Sequence, residues 1–289
     1  MNNKKAIRFA IYAALLYAVS TPFSKVLMEK IPPAFMAGLL YLGAAAGMVI
    51  IALFSRKKSK ETSAFTRKDI PYLIMMVLLD IAAPILLMTA LKYSSAESVS
   101  LLNNFEIVAT SLIALLFFKE KISPRLWVAI ALITTASIML SLSGNGSLSI
   151  SVYSLLALIA CCCWGLENNC TRKLSNRDPA KIVIIKGFGS GTGSVIVALI
   201  SGERLNATLY ILPALLLGFV AYGLSIYAYV YSQRYIGAAK TSAFYALAPF
   251  IGALISLILF PKIPALLFIL SFVIMALGAF LAIEKEKNQ

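Results

Sequence analysis

The chain contains no histidine, only 12 acidic residues, and charged residues of either sign at just 13% of its 289 positions. Without an imidazole, His-based acid–base catalysis and His metal ligation are both excluded. The four cysteines, Cys161, Cys162, Cys163 and Cys170, all fall in one apolar stretch. They lack the dispersed spacing of a disulfide framework and the paired spacing of a zinc site, and read as small packing residues. The run Gly187, Gly189, Gly191 and Gly193 carries no Lys-Ser/Thr phosphate loop, so it reads as a packing or hinge segment and nucleotide binding is not expected. Neither a cofactor nor a metal is expected. Paired catalytic groups are missing from the short loops, so an enzyme is not expected either.

What the chain has in abundance is apolar residues, 60% of the total with a mean hydropathy of +0.88, against roughly 45–50% apolar in ordinary soluble domains. A helix needs about 20 apolar residues to cross the hydrocarbon. Runs of that length tile the sequence, near Ile7 to Leu27, Pro33 to Phe54, Ile70 to Leu91, Ala96 to Phe118, Pro124 to Leu142, Ser151 to Thr171, Ile182 to Ser201, Leu209 to Tyr231, Ala238 to Phe260 and Ile263 to Ile283. The runs lack the in/out alternation of barrel strands, so they predict an all-α integral membrane protein of ten transmembrane helices.

The net charge of +14 is distributed by side. With a cytoplasmic N-terminus, that face holds Lys4, Lys5 and Arg8, the cluster from Arg56 to Lys68, Lys119, Lys121, Arg125, the group from Arg172 to Lys181, Arg234, Lys285 and Lys287. The other face holds only Lys30, Lys92, Arg204 and Lys262. This asymmetry predicts both termini on the cytoplasmic side of a multi-pass protein of the plasma membrane, and it accounts for the basic character without a nucleic-acid partner.

An internal repeat runs through the chain. An offset of 147 places Tyr17, Ser20, Thr21 and Ser24 on Trp164, Glu167, Asn168 and Thr171, with Lys25 on Arg172. In both stretches the i, i+3, i+4, i+7 spacing gathers these side chains on one helix face. An offset of 142 places Lys92-Tyr93 on Arg234-Tyr235, Ala96 on Ala238, Ser100 on Ser242 and Phe118 on Phe260. Two five-helix repeats, 1–145 and 146–289, are therefore expected. An odd number of spans in each makes them inverted with respect to one another. Because the first span recurs as half of a repeat, it is read as a retained helix and not a cleaved signal.

The stretch from Tyr222 to Pro249, YGLSIYAYVYSQRYIGAAKTSAFYALAP, and its counterpart from Ala90 to Glu106, ALKYSSAESVSLLNNFE, resemble the EamA-type family of the drug/metabolite transporter superfamily. The family pattern is Ala-Leu-(Lys/Arg)-Tyr, a short Ala/Ser turn, and a helix with Glu-Pro that closes near an acid. The first half keeps Glu106 but has Ile107 in place of the proline. The second keeps Pro249 but has Ala248 in place of the acid. Glu120 matches the closing acid of the first half, and FPKIP after Leu259 does not. The resemblance implies ten helices, cytoplasmic termini and metabolite transport, often export.

Ionisable groups within the spans are the candidate site. An uncompensated charge at the bilayer centre costs at least about 2.5–3.5 kcal/mol, so each persists only when paired, near an end, or facing an aqueous cavity. Lys25, Lys186 and Lys240 lie toward span ends, where their stems are expected to snorkel. Asp80 and Glu106 lie near mid-span. Glu106 shares a polar stripe with Asn103 and Thr110, and is a candidate for proton coupling or for the counter-charge of an amine. Asp80 is a second candidate, or a partner for backbone groups freed by Pro84. Glu167 and Asn168 accompany Trp164, with Arg172, Lys173 and Lys186 as partners for Glu167. Tyr17, Trp164, Tyr222 and Tyr245 are candidate aromatic contacts for a planar or cationic solute.

These readings predict a secondary transporter with a cavity lined by the first, third, fourth, sixth, eighth and ninth spans. It would act on a small organic solute, with protons as a coupling ion and the lipid bilayer as its medium. Export of an amino acid or related metabolite leads. A nucleoside, nucleotide-sugar or cationic drug is the alternative for a transporter, and a receptor or structural role is the alternative to transport.

Overall fold

The structure, a computed structural model, describes residues 3–54, 64–119, 122–142 and 151–282. Glu120, Lys121, the basic residues at 56–60, and Lys285 and Lys287 lie outside them. The described residues are helical almost throughout and contain no strand. In chain order they form α1 (Asn3–Ala18), α2 (Ser20–Leu27), α3 (Pro33–Phe54), α4 (Ile70–Tyr93), α5 (Ala96–Leu102), α6 (Phe105–Phe118) and α7 (Pro124–Leu142). There follow α8 (Val152–Leu174), α9 (Pro179–Ile200), α10 (Ile211–Gly218), α11 (Ser225–Tyr245), α12 (Leu247–Leu259) and α13 (Leu266–Ala282). A π-helical turn at Phe219–Leu224 joins α10 to α11, and Gly237, at φ +78°, breaks α11 internally.

Eight helical stretches are long and apolar enough to cross a membrane: α1 with α2, α3, α4, α5 with α6, α7, α9, α10 through Gly237, and Lys240–Leu259. The other two apolar runs of the sequence are α8, whose C-terminal half carries Glu167, Asn168, Asn169, Arg172 and Lys173, and the 17-residue α13. The outer surface is a belt of large apolar side chains, among them Leu53, Phe54, Leu116, Phe117, Ile200, Leu209 and Ile258, each more than 70% exposed. A soluble domain does not present so continuous an apolar surface. The chain is a multi-pass membrane protein.

Several helix breaks have local causes, and some of them recur at matching places in the two halves. Pro22 cannot donate to the Ala18 carbonyl, four residues back, and the chain breaks at Val19 between α1 and α2. Pro249 likewise leaves the Tyr245 carbonyl without its donor, and α11 gives way to α12 at Ala246. The break between α5 and α6 falls at Asn103–Asn104, and that between α11 and α12 falls 142 residues on. A 3-10 turn precedes α4 at Arg67–Asp69, and another precedes α10 at Thr208–Tyr210, 141 residues on. Pro33 opens α3 and Pro179 opens α9, as suits the first helical turn, where no N–H is required.

Helix pairing has the same symmetry. Counterparts pack on each other: α3 on α9, α5 on α12 and α7 on α13. The remaining large contacts are exchanged pairs, with α1 against α11 and α4 against α8. Glycines bring the backbones together. A Cβ at Gly43 would stand 2.1 Å from the Leu215 carbonyl oxygen, and one at Gly218 would stand 2.1 Å from that of Leu40, so α3 and α10 touch without intervening side chains. Along α9, Gly187 lies against the Tyr41 carbonyl and Gly191 against Leu42, both on α3, while Gly189 and Gly193 face Val77 and Ile81 on α4. Small residues at such seams replace the hydrophobic driving force that lipid removes.

Helix ends are closed across these seams. Lys25 Nζ donates to the carbonyls of Leu91, Lys92 and Ser94 at 2.6, 3.1 and 2.9 Å, capping α4. This differs from the snorkelling expected of it, because the chain turn after α4 offers three orphan carbonyls within reach. Arg234 donates to the carbonyls of Ser175 and Arg177, and Arg177 pairs with Asp69 at 2.9 Å. The Glu203 carboxylate accepts from the backbone N–H groups of Ala34 and Phe35 at the start of α3.

The Gly43–Gly218 seam yields a direct test. Gly218→Ala forces a methyl into the Leu40 carbonyl, and overpacking of this kind costs about 1–3 kcal/mol. The purified variant is expected to melt several degrees below the native protein. Leu216→Ala, at a neighbouring position that is 56% exposed, is expected to leave the melting temperature close to native.

Candidate functional site

Four helices bring charge into the apolar interior. Lys186, on α9, places Nζ 3.0 Å from Asp80 Oδ2 on α4 and 2.9 Å from Glu167 Oε1 on α8. The Tyr41 hydroxyl, on α3, donates to Asp80 Oδ1 at 2.9 Å, and the Thr171 hydroxyl donates to Glu167 Oε1. The three charged side chains are no more than 5% exposed. Lys186 is therefore the centre of a buried ion cluster. The expectation that it snorkels fails because two carboxylates lie within reach of its ammonium. Asp80 spends its oxygens on Tyr41 and Lys186, and no described bond takes it to the backbone freed by Pro84.

Beside this cluster, Glu106 near the start of α6 accepts from Asn168 Nδ2 on α8 at 2.6 Å, and the same amide reaches Thr110 Oγ1 at 3.3 Å. Asn169 Nδ2 donates to the carbonyls of Thr110 and Gly165 at 3.1 and 2.8 Å. Gly165 itself lies against Ala109 and Thr110, so α6 and α8 run close enough for these short side chains to bridge them. Among the described residues, no lysine or arginine lies within 4.0 Å of Glu106.

Glu106, Glu167, Asn168, Thr171 and Lys186 open onto one cavity of about 490 Å³, part of it open to solvent. Its other walls are Tyr17, Tyr41, Trp164, Tyr222, Ile226, Tyr229, Val230 and Tyr245. The tyrosines form a continuous chain of ring contacts, with centroids 5.1 Å apart for Tyr41 and Tyr222, 5.6 Å for Tyr222 and Tyr17, 5.3 Å for Tyr17 and Tyr245, and 5.0 Å for Tyr245 and Tyr229. The Tyr229 hydroxyl bonds Ser242 at 2.6 Å, and that of Tyr245 bonds Ser225 at 3.3 Å. These bonds hold both rings to the α11 region on either side of the Gly237 break. A mostly apolar cleft with a few convergent polar groups is the usual form of a small-molecule site.

A smaller space continues from it. At about 250 Å³, it shares Glu106, Tyr17 and Tyr245 with the main cavity and adds Asn103, Asn104, Ser242 and Pro249. Beyond it lies a seam too narrow to hold a water molecule, which shares Tyr17, Asn103 and Pro249 with the second space and adds Thr21 and Ser100. Along this line three buried polar atoms have no hydrogen-bond partner among the described residues, namely Asn103 Nδ2 and both side-chain polar atoms of Asn104. Buried polar groups are ordinarily satisfied, so a row of exceptions needs an explanation. At its far end the line is shut by Ser100, which donates to the Pro249 carbonyl at 2.9 Å, and by Gly252, whose backbone meets Ser100 and the Ala18 carbonyl.

Of the residues singled out in the sequence, Tyr17, Glu106, Trp164, Glu167, Asn168, Tyr222 and Tyr245 line the main cavity. Asn103 lines the adjoining one, and Asp80 lies behind Lys186, fully buried. The third span therefore does not supply a wall. The second and seventh spans do, through Tyr41, which the sequence reading did not single out, and Lys186, which it named both as a snorkelling residue and as a partner for Glu167. Lys186 does pair with Glu167, at 2.9 Å, and what the sequence reading lacked was its second partner, Asp80. A lysine two turns inside an apolar helix needs carboxylates, and Asp80 was the other one at mid-span.

The sequence profile of the EamA-like transporter family matches the chain twice, over residues 4–142 and 151–283. A protein of Methanothermobacter thermautotrophicus, described only as an uncharacterized transporter, is 24% identical over 289 residues, covering 94% of this chain and 84% of that protein. A crystallographically solved chain superposes with a TM-score of 0.73 at 14% identity, covering 96% of this chain and 95% of its own, a likeness of fold alone. Two successive matches that account for nearly the whole sequence, over helices with matching breaks, make this chain a member of the EamA-like transporter family.

Proposed function

We propose that the chain is a secondary transporter that moves a small organic solute by alternating access, with ten transmembrane helices in two inverted halves, 1–145 and 146–289. The observation that carries this reading is the position of the main cavity. It lies on the seam between the halves, with Tyr17, Tyr41 and Glu106 from the first and Trp164, Glu167, Lys186 and Tyr245 from the second. The symmetric pairing of α3 with α9, α5 with α12 and α7 with α13 supports halves that rock about that seam. The unpaired polar atoms of Asn103 and Asn104, in the space next to Glu106, support a route for the solute from the main cavity toward Ser100, closed in this conformation by the Ser100–Pro249 contact.

The lysine and arginine distribution supports both termini in the cytoplasm and a place in the plasma membrane. Energy comes from a proton or solute gradient, with Glu106 as the group that exchanges a proton for the solute. Export of an amino acid or related metabolite is the preferred direction and cargo. A nucleotide-sugar fits less well. An amino acid brings an ammonium to set against Glu106, whereas a nucleotide-sugar brings only negative charge, and Lys186, the sole cation among the described residues of the cavity wall, is already held by two carboxylates.

Reconstitution into proteoliposomes tests this reading. Glu106→Gln is expected to abolish the pH dependence of solute flux while leaving the melting temperature near native. Flux that keeps its native pH profile in this variant would remove Glu106 from coupling. Trp164→Ala and Tyr245→Ala are each expected to weaken solute binding, measured as ligand-induced stabilisation, by a larger factor than either lowers the stability of the free protein. Equal losses in both would assign these rings to packing.

A further inference from the structure

The cavity and the ion cluster behind its wall hold an unequal set of charges. Asp80, Glu106 and Glu167 contribute three carboxylates against the single ammonium of Lys186, and that ammonium is already shared by two of them, at 3.0 and 2.9 Å. The remaining carboxylate, Glu106, is held by a neutral donor, the Asn168 amide at 2.6 Å. Among the described residues, none offers it a positive charge within 4.0 Å. A buried carboxylate in that position is strongly favoured by the arrival of a cation. The tyrosines around it supply a second attraction of the same sign. Tyr17, Tyr229 and Tyr245 line the same cavity in ring contact at 5.3 and 5.0 Å, and a cation within about 6 Å of such a ring is drawn to its face.

We propose that this cavity takes an organic ammonium bearing a single positive charge, seated on Glu106 among Tyr17, Tyr229 and Tyr245, and that Lys186 is the residue that limits the site to one charge. A second ammonium on the solute has nowhere to go. Asp80 is fully buried behind Lys186, and its two oxygens are taken by Tyr41 and Lys186. Glu167 faces the cavity, but its Oε1 is shared by Thr171 and Lys186, and an approaching cation meets the Lys186 charge. The seat also adjoins the next space along the route, since Glu106, Tyr17 and Tyr245 line both cavities. The proposal deepens the transporter reading and relies on it for the entry of solute.

The test uses the full-length protein with three probes of equal chain length: n-butylammonium, 1,4-diaminobutane with two charges at neutral pH, and uncharged butan-1-ol. Binding is read as ligand-induced stabilisation in detergent, and movement as flux in proteoliposomes. The native protein is expected to respond to n-butylammonium, not to butan-1-ol, and to 1,4-diaminobutane with roughly tenfold lower affinity or worse. Glu106→Gln is expected to lose the n-butylammonium response. Lys186→Met is expected to gain affinity for 1,4-diaminobutane. Because that substitution leaves two buried carboxylates without a partner, Lys186→Met/Asp80→Asn, which removes one charge of each sign, provides the same readout in a better balanced protein.

Equal native affinity for the mono- and diamine, a response to butan-1-ol, or n-butylammonium binding that survives Glu106→Gln each overturns the proposal. Stabilisation by n-butylammonium without flux under an imposed gradient upholds the cation seat and overturns transport. Flux of a neutral or anionic solute, with no response to n-butylammonium, upholds transport and overturns the cation seat.

Discussion

The ammonium of Lys186, set between Asp80 and Glu167 in an otherwise apolar interior, is the interaction on which the arrangement of the helices turns. Each of these charges alone would carry a desolvation penalty of several kcal/mol. Together, and with the hydroxyls of Tyr41 and Thr171, they offset one another. The cluster thus requires α3, α4, α8 and α9 to meet at one level. Gly187, next to Lys186, is what permits this, because α9 there lies against the Tyr41 carbonyl and Ala45 with no room for a side chain. Packing and electrostatics are one requirement at this point. The glycine allows the approach, and the ion cluster fixes the depth at which it occurs.

The cavity follows from the same constraint. With α8 held to α4 and α9 by Glu167, its other polar side chains reach α6, through Asn168 to Glu106 and Asn169 to the Thr110 carbonyl. The side chains of α8 are thereby divided between two tasks one residue apart. Glu167 closes the ion cluster and Asn168 presents Glu106 to the open space. The tyrosines complete the wall because α11 is bent. Gly237, at φ +78°, folds the chain back so that Tyr229 before the break and Tyr245 after it come into ring contact at 5.0 Å.

Much of this was legible in the sequence. The ten apolar runs, the duplication, and the polar stripe shared by Tyr17 and Trp164 follow from hydropathy and helical spacing, which act over a few residues. The break between α5 and α6 was not visible, since Asn103 and Asn104 are ordinary helix residues by spacing. It declares itself only beside Pro249 of the counterpart helix. Tyr41 was missed because it lies in an almost wholly apolar helix with no polar neighbour to mark a face, and its role depends on a carboxylate 39 positions away. Lys186 was read both as a snorkelling residue and as a partner for Glu167; the pairing holds, and its second partner, Asp80, was not foreseen because it is decided by the packing of α9 on α4. Periodicity reports which face of a helix is polar. It does not report which faces meet.

The cap that Glu203 places on α3 bears on how the molecule comes apart. Its carboxylate, from the second half of the chain, satisfies the Ala34 and Phe35 N–H groups at the start of a helix in the first half. The backbone seam of Gly43 with Leu215, and of Gly218 with Leu40, crosses the same boundary. Separating the halves would therefore strip one helix of its terminal acceptor and undo the closest backbone packing between them. Loss of structure in either half therefore removes contacts that the other half depends on. The sequence is divisible into two repeats, but the packing does not divide at the same place.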